Sequence, residues 1–221
     1  MSRQSQTTGF AIVGPGIVAE MHRRAIEAND DLGARLVALA HYNPERYDEL
    51  SQRFGVPCRS YEEVLNDLAV EVVCICTPNG QHAAQTIAAA RAGKHVLVEK
   101  PMAVTLAEAD DMIRACAEAG VTLGVTFQRR AEPVFQQVRQ TIEAGALGDL
   151  TLGVVTIPYY RGEAYFAQAD WRGTWAADGG GVLMNQGIHQ VDLLVWYMGD
   201  PVTIEAYAGT LQRAIEVEDT L

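Results

Sequence analysis

The amino-acid sequence predicts an α/β fold, in which a doubly wound parallel sheet is followed by an α+β domain with a large open sheet. Short apolar runs alternate with segments of helical spacing as far as residue 126, the pattern of parallel strands joined by crossover helices. The run 72–76 is apolar throughout, as expected of a parallel strand that is covered on both faces. A glycine-rich turn at 14–16 separates the first apolar run from the first helical segment.

Local signals predict the elements of the first part in order. Strands are predicted at 10–13, 36–40, 72–76, 95–99 and 121–126. The first helix is predicted from the helical spacing of Ile17, Met21, Ala25 and Ile26. Side-chain caps predict the starts of three more helices, at Asn43 before Pro44, at Ser60 with Glu63, and at Thr105 with Glu108. A further helix after the third strand is expected to stop near Gly93, and the last of the capped helices at Gly120.

After residue 130 the pattern changes. It predicts a helix over 133–144, a strand over 150–159, a loop-rich stretch, a helix over 188–198 and a strand over 202–211. We therefore expect a dinucleotide-binding domain at 1–130 and an α+β domain at 131–221. Two strands do not make a stable sheet, and the last residues carry no helix cap or closing turn, so we expect this second domain to be truncated.

Composition and charge restrict the classes of function. The formal net charge of −11 argues against nucleic-acid and anionic-membrane partners, and no apolar run is long enough to span a bilayer. The first nine residues are polar and lack the apolar centre of a signal peptide, so a cytoplasmic location is expected. Cys74 and Cys76 alternate onto one strand face, a poor geometry for a disulfide, and no cysteine pair has zinc-knuckle spacing. Free buried thiols and no metal site are expected.

The segment Gly14-Pro15-Gly16-Ile17-Val18-Ala19 is a G-x-G-x-x-A pattern between a strand and a helix, the context that a dinucleotide fingerprint requires. Gly14 is expected to allow the tight turn, and Gly16 to let a pyrophosphate approach the backbone. The start of the helix, at Ile17 and Val18, would supply N–H groups and a positive dipole end. The sequence therefore predicts a Rossmann domain that binds NAD or NADP.

The end of the second strand bears on which of the two cofactors is bound. An acid there would bind the ribose 2′-hydroxyl of NAD, whereas this sequence has His41 and Tyr42 followed by Asn43. No carboxylate is present to repel a 2′-phosphate, and Arg46 is nearby. Both cofactors are permitted, with a slight preference for NADP or dual use. The alternative is that His41 only faces solvent.

Chemistry-bearing residues follow the third and fourth strands, whose carboxyl ends border the ligand crevice of an open parallel sheet. Glu99 and Lys100, which precede Pro101, are candidate cofactor contacts, and Lys100 could also exchange a proton with a substrate oxygen as hydride moves. The candidate cofactor contacts at the neighbouring strand end are Thr77, Pro78, Asn79 and His82. A position on the helix surface is an equal alternative for His82. For His22 the sequence identifies no partner.

In the second domain, Asn185 and His189 lie at the start of the helix over 188–198, and His189 is a candidate acid or base. A satisfied core histidine is the alternative. Four residues that flank the expected substrate cleft are candidate substrate contacts. The reason is that arginine suits carboxylates or diphosphates, and aromatic rings suit sugar faces. The four residues are Arg130, Tyr160, Trp171 and Arg172. Ordinary surface ion pairs are the alternative reading of the arginines.

Several separated segments resemble the Gfo/Idh/MocA oxidoreductase family. They are AIVGPGIVAEMH, NPERYDELSQRFGV, VCICTPNGQH, GKHVLVEKPMAVT and GGGVLMNQGIHQVDLLVWYMG. The resemblance implies hydride transfer between a nicotinamide and a carbon-bound hydroxyl of a sugar, inositol or nucleotide sugar. It implies that Lys100 and His189 are catalytic, with Asn185 where many members have aspartate. It also implies a homodimer or homotetramer, and members that continue beyond Leu221.

Within the family, the segments QRR, ADWRGTW, MNQGIH and IEVEDT are most similar to nucleotide-sugar 3-dehydrogenases that act on UDP-N-acetylglucosaminuronate. The first of these segments adds Gln128 to the candidate cofactor contacts. Two other functions stay open. One is an NAD-dependent glycoside hydrolase, and the other is a non-catalytic nucleotide-binding regulator, which the presence of both Lys100 and His189 disfavours.

Overall fold

The computed structural model describes residues 7–169 and 171–221. Residues 1–6, part of the polar segment at the N-terminus, lie outside the described residues. The chain divides into two compact units, the first ending at Val125 and the second spanning Thr126–Leu221. This division lies close to the domain boundary expected after residue 130.

Six strands form the sheet of the first unit. They are β1 (Thr8–Val13), β2 (Ala34–Ala40), β3 (Cys58–Arg59), β4 (Val72–Ile75), β5 (His95–Glu99) and β6 (Leu123–Thr126). Their order is β3-β2-β1-β4-β5-β6, and β1 pairs in parallel with both β2 and β4. The five predicted strands are confirmed. The two-residue β3 was not predicted, because it is too short to carry an apolar pattern.

Five helices accompany these strands. They are α1 (Ile17–Ala28), α2 (Tyr47–Phe54), α3 (Tyr61–Asn66), α4 (His82–Arg91) and α5 (Leu106–Ala119). The predicted caps are confirmed. The Asn43 Oδ1 atom accepts a hydrogen bond of 2.9 Å from the Glu45 N–H, before a 3-10 turn that leads into α2. Ser60 and Thr105 each form a complete capping box.

The buried face of α1 overlaps at Ile26 with the apolar repeat that predicted the helix, and otherwise differs from it. Ala19, His22 and Ile26 are buried, whereas Ile17 is 75% exposed and Met21 is 66% exposed. The predicted helix is confirmed, and Ile26 is the member of the repeat that is buried. The small side chain of Ala19 lets α1 lie close to the sheet, which is the role of the third position of the fingerprint.

Apolar clusters cover the sheet on both faces. Along β1, the side chains of Ala11 and Val13 belong to one cluster and that of Ile12 to the other. Along β4, Val73 packs into the first cluster and Cys74 into the second. This alternation explains why the strands are apolar at almost every position, since each successive side chain enters a separate core.

The second unit is helical where it is regular. It contains α6 (Pro133–Glu143), the short α7 (Glu163–Phe166) and α8 (Ile188–Met198), which follows a π-helical turn at Leu183–Gly187. The helices predicted over 133–144 and 188–198 are confirmed. Nowhere in the described ranges is a helix both long enough and apolar enough to cross a membrane.

The strands predicted over 150–159 and 202–211 are wrong for this structure. Neither segment forms ladder hydrogen bonds, and the β-pairing of the described second unit is a single antiparallel bridge between Gly209 and Thr220. Their apolar side chains are largely exposed, Val154 and Ile204 among them. A strand needs a neighbour with which to exchange hydrogen bonds along its length, and within the described residues the pairing of these two segments is limited to Gly209 opposite Thr220.

All four cysteines are free. Cys58, Cys74 and Cys116 are buried, and Cys76 is partly buried. Burial raises the pKa of the Cys74 thiol to about 12, so it is a neutral, unreactive part of the core. The prediction of unlinked thiols is confirmed.

Candidate functional site

Most of the predicted cofactor residues lie at one edge of the sheet. The register pairs Val13 of β1 with Ala40 of β2 and with Ile75 of β4, and pairs Ile75 with Val98 of β5. The four strands therefore end side by side, and the turns that follow them share one edge. The strand order reverses between β1 and β4, where open α/β sheets bind their ligands.

The glycine turn after β1 is shaped by two different requirements. Gly14 has a φ of +80°, and a Cβ atom there would lie 2.7 Å from the Thr77 Cγ2 atom and 2.9 Å from the Thr77 nitrogen. Gly16 is extended, and a Cβ atom on it would meet no atom of residues 7–169 and 171–221 closer than the Gly14 oxygen at 4.0 Å. The fold itself requires glycine at Gly14 but not at Gly16.

The open space at Gly16 lies directly before α1, whose first residues are the exposed Ile17 and Val18. A helix N-terminus with unblocked N–H groups attracts phosphate. The described residues leave space at Gly16 that a side chain would occupy. With glycine there, this space can receive the pyrophosphate of a dinucleotide.

The turn after β2 carries an aromatic pair and no carboxylate at 41–43. The rings of His41 and Tyr42 lie 4.6 Å apart, and the His41 Nδ1 atom accepts a hydrogen bond of 3.1 Å from the Asn43 N–H. Arg46 donates two hydrogen bonds to the Glu49 carboxylate, at 3.0 and 3.1 Å. The Arg46 guanidinium is thus paired, and this turn fits NAD and NADP alike.

His82 has neither of the two positions expected for it. Its side chain is fully buried, with the Nδ1 atom 2.8 Å from the Pro101 carbonyl oxygen and the Nε2 atom 2.9 Å from the Thr77 carbonyl oxygen. It therefore joins the turn after β4 to the turn after β5. A residue without exposed surface contacts no cofactor, so its effect on the site acts through Thr77 and Pro101.

Burial lowers the pKa of His82 below the ordinary 6.5 and outweighs the two carbonyl contacts, which raise it. As the pH falls below about 6.5, His82 takes up a proton more readily in the unfolded chain than in the folded one. The stability that neutral His82 contributes is therefore present above about pH 6.5 and is lost as the pH falls toward the lowered pKa. We expect His82→Gln to reduce the loss of melting temperature between about pH 7.5 and 5.5. The exposed His95, replaced by glutamine, is the control. An unchanged pH dependence in His82→Gln would contradict this account.

Lys100 lies immediately after β5, between two anchored neighbours. The Glu99 carboxylate lies 2.7 Å from the His22 Nε2 atom, and these two side chains are only 13% and 8% exposed. The Pro101 carbonyl faces His82, and the Lys100–Pro101 peptide is cis. Glu99, predicted as a cofactor contact, instead ties the Lys100 segment to α1 through His22, the partner that the sequence did not reveal.

Asn185 and His189 lie where the π-helical turn leads into α8. The Asn185 Nδ2 atom donates a hydrogen bond of 2.9 Å to the Asp178 Oδ1 atom. The ring of His189 meets that of Phe127 edge-on at 6.3 Å. Asp178 was not among the predicted site residues, because it lies in a loop without periodicity.

The predicted substrate residues of the second unit divide into two groups. Tyr160 and Asn185 line a cavity of about 240 Å³, whereas Arg130, Trp171, Arg172 and His189 are not part of its wall. Other lining residues include Tyr159, Arg161, Tyr165, Asp178, Arg213 and Glu218.

The arginines of the second unit are engaged within it. Arg130 forms a two-pronged ion pair with Asp192, at 2.8 and 2.6 Å, the type of contact that the alternative interpretation of the arginines describes. The guanidinium of Arg172 lies over the ring of Tyr165 at 4.0 Å. Gln128 begins a 3-10 turn, Gln128–Ala131.

Comparison with known proteins places this geometry in context. A family described as an oxidoreductase family with an NAD-binding Rossmann fold matches residues 8–127, and the GFO/IDH/MocA C-terminal domain matches residues 135–221. The scyllo-inositol 2-dehydrogenase (NADP(+)) IolW of Bacillus subtilis is 37% identical over 72% of this chain and 43% of its own length. The inositol 2-dehydrogenase of Rhizobium meliloti is 28% identical over 93% of this chain and 59% of its own length.

A solved structure is similar over nearly the whole chain. The WlbA dehydrogenase from Bordetella pertussis, in complex with NADH and UDP-GlcNAcA, has a TM-score of 0.91 and 37% identity, covering 97% of this chain and 62% of that one. The chain spans about half the length of the curated relatives it matches. The two family matches follow the two units of the structure. The chain therefore belongs to the Gfo/Idh/MocA family of oxidoreductases, and its first unit is the family's NAD-binding Rossmann domain.

Proposed function

We propose that the protein is an NAD- or NADP-dependent dehydrogenase or reductase that interconverts a secondary hydroxyl and a ketone on a sugar, nucleotide sugar or inositol. The observation that carries this proposal is Lys100 at the end of β5, on the sheet edge where the glycine turn opens. A proton-exchanging group beside a dinucleotide cradle is what alcohol oxidation requires. The named relatives support the same class of reaction.

The chemical roles of the side chains follow from their types. When bound, the nicotinamide accepts or donates the hydride. The Lys100 Nζ atom takes the hydroxyl proton during oxidation and returns it to the ketone oxygen during reduction. His189 supplies a second proton-exchanging group, and Asn185 a polar contact to a substrate hydroxyl.

Among the possible substrates, a nucleotide sugar is our proposal. The wall of the cavity in the second unit includes three tyrosines, which suit a sugar ring, and two arginines, which suit a diphosphate or carboxylate. It also includes the carboxylates of Asp178, Glu218 and Asp219, which can accept hydrogen bonds from sugar hydroxyls. The similarity to WlbA, solved with UDP-GlcNAcA, supports this choice. The formal charge of −11 supports a small-molecule substrate over a nucleic acid.

A substrate panel tests the proposal. Nucleotide sugars, sugar acids and inositols are incubated with NAD and with NADP, and both reduced cofactor and released sugar are measured. We expect UDP-N-acetylglucosaminuronate to give reduced cofactor. Release of free sugar without a net change in nicotinamide absorbance would replace the proposal with an NAD-dependent glycoside hydrolase. Cofactor binding without turnover of any compound would favour a non-catalytic regulator.

Cofactor preference is expected to respond to Glu49. The hydrogen bonds from Arg46 hold the pKa of the Glu49 carboxyl below its ordinary value, so Glu49 is ionised and offsets the Arg46 charge. Glu49→Gln should raise the affinity for NADPH relative to NADH by about threefold, the size of a partly exposed ion-pair effect. Fluorescence titration with both cofactors measures the ratio. Glu45→Gln removes an equal charge from the same turn, and an equal shift in that control would contradict the role of Arg46.

We also propose that the protein works in the cytoplasm as a homodimer or homotetramer. The four free cysteines fit a reducing compartment. The second unit leaves several large apolar side chains exposed, as an assembly surface would. They are Leu152, Val154, Val202, Ile204 and Tyr207. Light scattering over a range of protein concentrations tests the assembly, and a monomeric mass throughout would contradict it.

A further inference from the structure

Asp178 is a buried carboxylate that holds two separate parts of the second unit. Asp178 is 2% exposed. The Oδ2 atom accepts a hydrogen bond of 2.9 Å from the Gly173 N–H, and the Oδ1 atom accepts one of 2.9 Å from the Asn185 amide nitrogen. The first bond closes the loop in which Asp178 lies, whereas the second reaches across to the π-helical turn before α8.

The second bond determines which way the Asn185 amide faces. In this bond the Asp178 Oδ1 atom is the acceptor, so the NH2 group of Asn185 is the side that faces Asp178. The amide oxygen is then directed away from Asp178. An asparagine amide has one donor side and one acceptor side, and its orientation is set by its hydrogen-bonding neighbours. Asp178 and Asn185 also line the same cavity.

We propose that Asp178 is a positioning residue that fixes the side-chain amide of Asn185 with its oxygen presented as a hydrogen-bond acceptor for a hydroxyl of the ligand. The identification of that ligand as a polyhydroxylated sugar or nucleotide sugar rests on the proposed function. The orientation of the Asn185 amide follows from its contact with Asp178 and does not depend on the proposed function.

Exchanging the acid and the amide at positions 178 and 185 separates the orientation of the Asn185 amide from the presence of a hydrogen bond between the two side chains. In Asp178→Asn, the new amide oxygen can still accept from the Gly173 N–H, while its NH2 group donates to the Asn185 oxygen. The loop is kept, but the Asn185 amide turns round and presents a donor. In the double variant Asp178→Asn with Asn185→Asp, the new amide donates to the new carboxylate, so position 185 presents an acceptor again. Asn185→Asp alone places two carboxylates at hydrogen-bond distance, where one must hold a proton.

The binding test uses the 221-residue chain and UDP-N-acetylglucosaminuronate as the probe, measured by titration calorimetry. Loss of a hydrogen bond to a ligand hydroxyl should weaken binding to Asp178→Asn about tenfold, whereas the double variant should return close to the wild-type affinity. Melting temperatures are measured in parallel. Wild-type affinity in Asp178→Asn, or a double variant as weak as Asp178→Asn, would overturn the proposal. A loss of binding that follows the loss of melting temperature across all variants would also overturn it, because that is the result of a purely structural role.

A second measurement needs no ligand and decides the proposal even if the probe does not bind. The side-chain NH2 signals of Asn185 in 15N-labelled protein are assigned by their absence from Asn185→Asp. Their hydrogen exchange should be slow in the wild type, where the NH2 group faces the buried carboxylate, and faster in Asp178→Asn. Equal exchange rates would overturn the proposal. Failure of the wild type to bind the probe, with the expected difference in exchange, would overturn the choice of substrate and leave the positioning role supported.

Discussion

Replacing Lys100 with methionine is expected to lower kcat by about 100-fold to 10,000-fold, the range that a positioned acid or base contributes. Methionine keeps an unbranched side chain of similar length and removes the ammonium group. The anchors on either side of Lys100, the His22–Glu99 contact and the His82–Pro101 contact, do not involve its side chain. Affinity for NADH should therefore stay close to the wild-type value. Steady-state kinetics and fluorescence titration together measure the two effects.

The chain offers a matched lysine at the other end of the same strand. The Lys94 Nζ atom donates hydrogen bonds of 2.8 Å to the carbonyl oxygens of Asp67 and Val70, and this residue is only 7% exposed. Lys94→Met leaves a buried carbonyl, that of Val70, and a partly buried one, that of Asp67, without this donor. It should therefore lower the free energy of unfolding by about 2 kcal/mol and leave kcat unchanged. Unchanged turnover in Lys100→Met would remove Lys100 from the mechanism. If Lys100→Met lost as much stability as Lys94→Met, its loss of kcat would be explained by destabilisation and not by the loss of a proton-exchanging group.

The first unit was predictable because its signals are local. A strand that is covered on both faces is apolar along its whole length, and a capping box needs only Ser60 and Glu63, or Thr105 and Glu108, which are close in the sequence. The strands predicted in the second unit failed for the opposite reason. An apolar run such as 150–159 becomes a strand only beside a partner, and a sequence does not say whether that partner is in place.

The same contrast holds for the candidate site. The glycine turn was predicted from its G-x-G-x-x-A pattern and its place after a strand, and Lys100 from its place at a strand end, since the end of a parallel strand borders the crevice. The contacts that hold the site were not identified, because they join distant parts of the chain. His22 and Glu99 are 77 residues apart, and His82 and Pro101 are 19 apart. Asp178 lies in a loop without periodicity, so only its contact with Asn185 reveals it.

The two glycines of the turn are expected to separate stability from cofactor binding. Gly14→Ala forces a side chain onto a positive φ and against Thr77, so it should lower the free energy of unfolding by about 1–3 kcal/mol. Gly16→Ala has extended backbone and open space around it, so its stability should stay within about 0.5 kcal/mol of the wild type. Its added methyl group should nevertheless weaken NADH binding at least about tenfold, since the pyrophosphate must approach the backbone there.

Urea unfolding without cofactor measures the first effect, and fluorescence titration with NADH measures the second. The two variants add the same methyl group two residues apart in one turn, so the difference between them isolates the space that a ligand would fill. If Gly16→Ala bound NADH as the wild type does, the opening before α1 would not be the pyrophosphate site. If Gly16→Ala lost as much stability as Gly14→Ala, the space at Gly16 would be needed by the fold and not by a ligand. A stable Gly16→Ala variant that binds poorly assigns that space to the cofactor, because among the described residues the nearest atom to a Cβ at Gly16 is the Gly14 oxygen, at an ordinary contact distance of 4.0 Å.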